Sequence, residues 1–132
     1  MLRTSMKAPL AHVPYLLVCV VLGALVGWLP ILVHGPIPEK FNVLYINGKL
    51  AVWAFYSIRV LIGFWVGVAT WPARWWLRGP FIGFVAFLPL AIMLLATPGC
   101  GTLCARLNTA SAVLIGTAVA GLAYVLTGRQ HR

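Results

Sequence analysis

The chain has almost no acid. Its 132 residues include one carboxylate side chain, Glu39, and no Asp. Paired-carboxylate catalysis and carboxylate-held metals need at least two such groups, so both are excluded. Charge of either sign is scarce as well: 8% of residues are Asp, Glu, Lys or Arg, against about 25% in a soluble domain. That is too little to cover a core with a wetted surface, which excludes a soluble monomer. Disorder is excluded by the opposite property. A disordered chain combines low hydrophobicity with high charge, whereas 62% of these residues are hydrophobic and the mean hydropathy is +0.98.

Histidine is equally sparse. His12 and His34 bracket the first apolar run and His131 lies in the tail. None sits inside a run, where haem or chlorophyll ligation would require it, so no cofactor is predicted. No His–acid set exists to activate a Ser or Thr, and no Gly-rich phosphate loop follows a strand. The chain is expected to be non-enzymatic.

What the chain does have is four long apolar runs, at about residues 13–33, 50–71, 80–97 and 109–127. About 20 predominantly apolar residues in a helix cross the hydrocarbon core. Pro14, Pro30, Pro72, Pro80, Pro98 and Gly128 punctuate the ends. The predicted fold is therefore all-α, an integral membrane bundle of four transmembrane helices forming one domain over 1–132. A basic start before an apolar run also describes a cleaved signal. Here no small-x-small site follows the run, and Leu16-Leu17-Val18-Cys19 lacks the small residue before cysteine that a lipoprotein box requires. The first run is read as an uncleaved span.

The ten Lys and Arg residues occur in ones and twos between the runs. That spacing fits the flanks of spans beside anionic headgroups and not a nucleic-acid face. With four spans, Arg3, Lys7, Arg74, Arg78, Arg129 and Arg132 share one side, and Lys40, Lys49 and Arg106 share the other with Glu39. The positive-inside rule then places both termini in the cytoplasm, in a membrane taken to be a bacterial inner membrane from the compactness and short loops.

Arg59 lies near the middle of the second run. A central Arg costs about 2.5–3.5 kcal/mol on insertion scales and usually faces the bundle interior or a polar cavity. Two readings stay open. Arg59 contacts an anion, a substrate or a partner's carboxylate; or the helix is tilted or shifted, and carbonyls, lipid phosphate or Ser57 satisfy it. Glu39 is too shallow to pair with it.

Cys100 and Cys104 fall on the predicted outer side, where a short-range disulfide forms readily; free thiols and a metal or redox role are the alternatives. With His34 they make an incomplete zinc set, and Cys19 is in the inner half of the first span, so no metal site is predicted. Trp71, Arg74, Trp75, Trp76 and Arg78 read as an interfacial anchor gripping anionic headgroups. Small residues recur at helical-face spacing: Gly23 with Gly27, Gly63 with Gly67, Gly79 with Gly83, and Ala112 with Gly116 and Ala120. Such faces let backbones approach closely in lipid, which predicts a compact bundle, self-association, or both.

The function expected from these features is that of an accessory, assembly or regulatory membrane subunit acting through helix packing, with a membrane-protein partner or further copies of itself. The alternative is a small transporter or channel component with Arg59 and a kink at Pro89 as its site, including thiol-dependent soft-metal transport.

Overall fold

The computed structural model describes residues 9–34, 48–98 and 101–128. Among these the chain forms four α-helices and no strand: α1 (Tyr15–His34), α2 (Gly48–Val68), α3 (Trp75–Leu95) and α4 (Gly101–Thr127). Helices α1, α3 and α4 are long and apolar enough to cross a membrane, while the apolar part of α2, Val52–Val68, is shorter. The chain is thus a helical bundle with span-length apolar helices.

The helices alternate in direction. The Leu10 N–H donates to the Leu126 carbonyl at 2.9 Å, tying the segment before α1 to the last turn of α4. Arg78, in the first turn of α3, reaches both Tyr15 at the start of α1 and Ala69 just past α2. The start of α1, the end of α2, the start of α3 and the end of α4 therefore share one end of the bundle.

Packing divides the bundle into two pairs. α1 packs most extensively on α2, and α3 on α4; contacts between the pairs are sparser. Small residues explain the pairs. A β-carbon on Gly79 would lie 2.8 Å from the Thr117 α-carbon, and one on Gly83 would lie 3.0 Å from the Val113 α-carbon. One on Gly116 would meet the Gly79 carbonyl. On α1 and α2, Gly67 leaves room for Leu16, and Gly27 for the Arg59 side chain. Apolar lipid tails supply no hydrophobic drive between helices, so close backbone approach and dispersion must hold each pair. Ala112 and Ala120 are fully buried on the same α4 stripe as Ile115 and Val119. Large side chains point outward instead, among them Leu25, Leu32, Leu61, Phe84, Ile92, Leu114 and Val125. Such an outer surface is unusual in water and ordinary in lipid.

The helix bounds differ from those read in the sequence. α3 begins at Trp75, five residues before Pro80, so Pro80 is inside the helix and not at its start. The Arg74 carbonyl accepts the Arg78 N–H at 2.9 Å, and the added turn is held by packing Gly79 against the α4 backbone at Gly116 and Thr117. Pro30, placed at the end of the first run, also lies within a helix that continues to His34. α2 ends at Val68, short of Trp71. α4 begins at Gly101 and not near 109, because its polar residues satisfy themselves along the helix. Asn108 donates to the Cys104 carbonyl at 3.0 Å and Thr109 to the Ala105 carbonyl at 2.7 Å. At its other end, Gly128 takes a positive φ of 68° and its N–H meets the Tyr124 carbonyl at 2.8 Å, a glycine stop.

Candidate functional site

Arg59 is 2% exposed and points into the bundle. Its place follows from the neighbouring helix: Gly27 of α1 has no side chain, and a β-carbon there would lie 2.9 Å from the Arg59 β-carbon. The guanidinium donates to the Phe55 carbonyl one turn back at 3.3 Å and to the Ser111 hydroxyl of α4 at 3.3 Å. Both are at the long end of hydrogen-bond geometry, and the Nε donor is buried without a partner. Ser57 does not serve it; that hydroxyl donates to the Trp53 carbonyl. Glu39, the chain's one acid, lies outside the described residues. No carboxylate therefore stands among the described residues, and Arg59 has no ion-pair partner there.

The energies do not balance around Arg59. A charged Arg at the middle of a membrane helix costs about 2.5–3.5 kcal/mol. Side-chain hydrogen bonds in membrane bundles average about 0.6 kcal/mol, so two long ones recover less than half of that. A guanidinium cannot shed its proton. What remains is a buried cation whose Nε has no partner.

Arg78 forms a second buried cluster at the end of the bundle near the α2–α3 connection. It was expected among the interfacial anchors, but it is fully buried. It is the fourth residue of α3, and it turns toward Tyr15 and Ala69 while its neighbour Gly79 packs against α4. Its guanidinium donates to the Tyr15 hydroxyl at 3.1 Å and approaches the Ala69 carbonyl at 3.4 Å, with the Tyr15 ring 5.7 Å away. Its Nε too is buried without a partner. Cys19, one turn along α1 from Tyr15, is fully buried and free.

The other anchor residues divide by exposure. Trp71, Arg74 and Trp76 are exposed, with Arg74 5.7 Å over the Trp76 ring and Trp71 edge-on to Phe81. Trp75 is half-buried and stacks on Tyr124 at 5.8 Å. At the opposite end Trp28, Trp53 and Tyr56 form an aromatic group, and Tyr56 donates to the Ala24 carbonyl at 3.1 Å.

Pro89 does not join Arg59. It is exposed on the outer side of α3, two residues from buried Phe87 and so on the opposite face. Cys100 lies outside the described residues, as do Arg3, Lys7, Lys40, Arg129, His131 and Arg132. Cys104 is disulfide-bonded. Among the described residues no group of three or more His, Cys, Asp or Glu side chains gathers as a metal site.

Sequence reading missed Tyr15, Ser111 and the inward turn of Arg78. One signal was available. Tyr15, Cys19, Gly23 and Gly27 follow one another at four-residue intervals, a single helical stripe, and all four are buried. Ser111 carried no signal, since a Ser in an apolar helix usually bonds its own backbone.

No family model matches the chain, and no curated protein and no solved structure is similar to it.

Proposed function

We propose that the chain is a four-span, non-enzymatic membrane protein, and that it is a small transporter or channel component whose central contact is Arg59 handling an anion between the two helix pairs. The observation that carries this reading is the buried, uncompensated guanidinium of Arg59 with its unused Nε. An anion held there would supply the charge that the described residues lack. A partner's carboxylate is a poorer fit, because the chain's own α1 and α4 cover the side chain.

The accessory-subunit reading has less support. Its best argument was the small-residue faces, and the pairs α1–α2 and α3–α4 use those faces within the chain. The outward Leu, Phe and Trp side chains suit lipid as well as a partner helix.

The second helix completes the span count if its length from Gly48 is taken with its apolar part. Taking buried Arg78 out of the loop charges leaves Arg3, Lys7, Arg74, Arg129 and Arg132 against Lys40, Lys49 and Arg106. The difference is smaller but keeps its sign, so both termini remain cytoplasmic in this reading, in a bacterial-type inner membrane with anionic lipid around the exposed Trp71, Arg74 and Trp76. Cys100 with Cys104 is the proposed disulfide.

The test is flux. Purified protein in liposomes is assayed for chloride, nitrate, phosphate and sulfate movement, beside Arg59→Gln and Arg59→Lys. Flux of at least one anion in the parent chain, lost in Arg59→Gln while the protein still elutes as a folded species, supports the reading. A parent chain that moves none of them overturns it and returns the accessory role to first place.

A further inference from the structure

We propose that the buried cluster of Arg78, Tyr15 and Cys19 is a second site, one that binds a phosphate-bearing anion at the end of the bundle holding the α2–α3 connection. Arg78 is fully buried and its Nε meets nothing. The remaining contacts are all neutral: a hydroxyl, a carbonyl at 3.4 Å and the face of a tyrosine ring. None of these cancels the charge, and the described residues contain no acid. A planar guanidinium offers parallel N–H donors that match two oxygens of a phosphate. Nε is the unused member of that fork. Tyr15 adds a hydroxyl whose oxygen accepts from Arg78, which leaves its own proton free to turn toward an anion or toward Cys19.

The surroundings favour phosphate as the ligand. Arg74, four residues before Arg78, is exposed beside Trp76, and Trp71, three residues earlier in the chain, is exposed too. Exposed Trp with Arg marks the headgroup level of a membrane helix, where phosphate is the abundant anion and where a basic residue draws anions from either lipid or solution. The site is separate from Arg59. Tyr15 and Gly27, which mark the two arginines along α1, are twelve residues apart, roughly 18 Å of helix. The inference stands whether or not Arg59 passes an anion.

The experiment uses the full chain, stripped of lipid in a neutral detergent, and native mass spectrometry with three probes: phosphatidylglycerol, inorganic phosphate and diacylglycerol. One phosphate-bearing adduct per chain is expected, with none from diacylglycerol. Arg78→Gln should weaken it at least tenfold, a difference of about 1.4 kcal/mol. Arg78→Lys keeps the charge but loses the fork and should also weaken it, while Tyr56→Phe, at the opposite end of the bundle, should leave it unchanged. The adduct should slow maleimide labelling of Cys19 in the parent chain. Retention of phosphatidylglycerol alone assigns a lipid headgroup; retention of inorganic phosphate alone or of both assigns a site for phosphate itself. The inference is overturned if the parent chain retains neither, if diacylglycerol is held equally, or if a folded Arg78→Gln or Arg78→Lys chain binds as the parent does. Should Arg78→Gln fail to fold, the lysine variant and the Cys19 protection decide the matter.

Discussion

Gly23 and Gly63 meet backbone to backbone across the α1–α2 pair: a β-carbon on Gly23 would lie 2.9 Å from the Gly63 α-carbon, and one on Gly63 would lie 3.0 Å from the Gly23 α-carbon. This contact places Arg59, one turn from Gly63, against Gly27, one turn from Gly23. The approach of two glycines and the burial of an arginine are thus one piece of geometry.

Gly63→Ala should therefore destabilise the bundle. Its new methyl would run into the Cys19 carbonyl, which is backbone and cannot move aside cheaply. Overpacking of this kind typically costs about 1–3 kcal/mol. Thermal unfolding in detergent measures it, with Gly121→Ala as the contrast, since that methyl meets only the Trp75 ring, 3.1 Å away. Equal midpoints for the two variants would show that the α1–α2 contact is looser than described.

Arg59→Leu should do the reverse, stabilising the fold while abolishing anion flux. It removes a buried charge that costs about 2.5–3.5 kcal/mol on insertion scales and that its hydrogen bonds do not compensate. Denaturant unfolding beside the flux assay tests both halves. A loss of several kcal/mol would make Arg59 a fastener between α2 and α4, acting through Ser111, and would weaken the transport reading.

Tyr56→Phe should cost little, about 0.6 kcal/mol. It deletes one hydrogen bond to the Ala24 carbonyl and keeps the ring that packs on Trp28 at 4.7 Å. A much larger drop in unfolding midpoint would mean that the hydroxyl holds the α1–α2 pair together.

Thiol counting separates the three cysteines. Unfolded but unreduced chain should label at one thiol, Cys19, and reduction should release two more. In the folded protein Cys19 should label slowly, because it is fully buried. Three reactive thiols before reduction would remove the proposed Cys100–Cys104 bridge.

Orientation is open to a direct measurement. A reporter fused after Arg132 should be active only in its cytoplasmic form. An outward result would mean that α2 does not cross, since one span fewer reverses the C-terminus, or that the four-span bundle is inserted the other way round, and a second reporter before Met1 separates the two.

The apolar runs and their order were legible because solvation acts on each segment separately. A stretch such as Tyr15–Leu32 is apolar whatever it packs against. The small-residue stripes were legible too, since their spacing is a property of one helix. The bounds were harder. Pro80 reads as a start because proline suits a first turn, yet the Arg78 N–H bonds the Arg74 carbonyl and Gly79 packs on Gly116 of α4, which extends α3 back to Trp75. Arg78 itself was misplaced because its neighbours along the chain are Trp and Arg, and local composition says nothing of which way one side chain turns.

The chain's lipid-like outer composition, its near-absence of acid and its four helical segments are settled by residue types in order, because transfer between water and hydrocarbon is nearly additive over residues. Which helices pair, which glycine faces which backbone, and that Arg59 and Arg78 both point inward toward Ser111 and Tyr15 were decided only by the fold. The two arginine contacts alone join residues 52 and 63 positions apart, and no local propensity carries information over that distance.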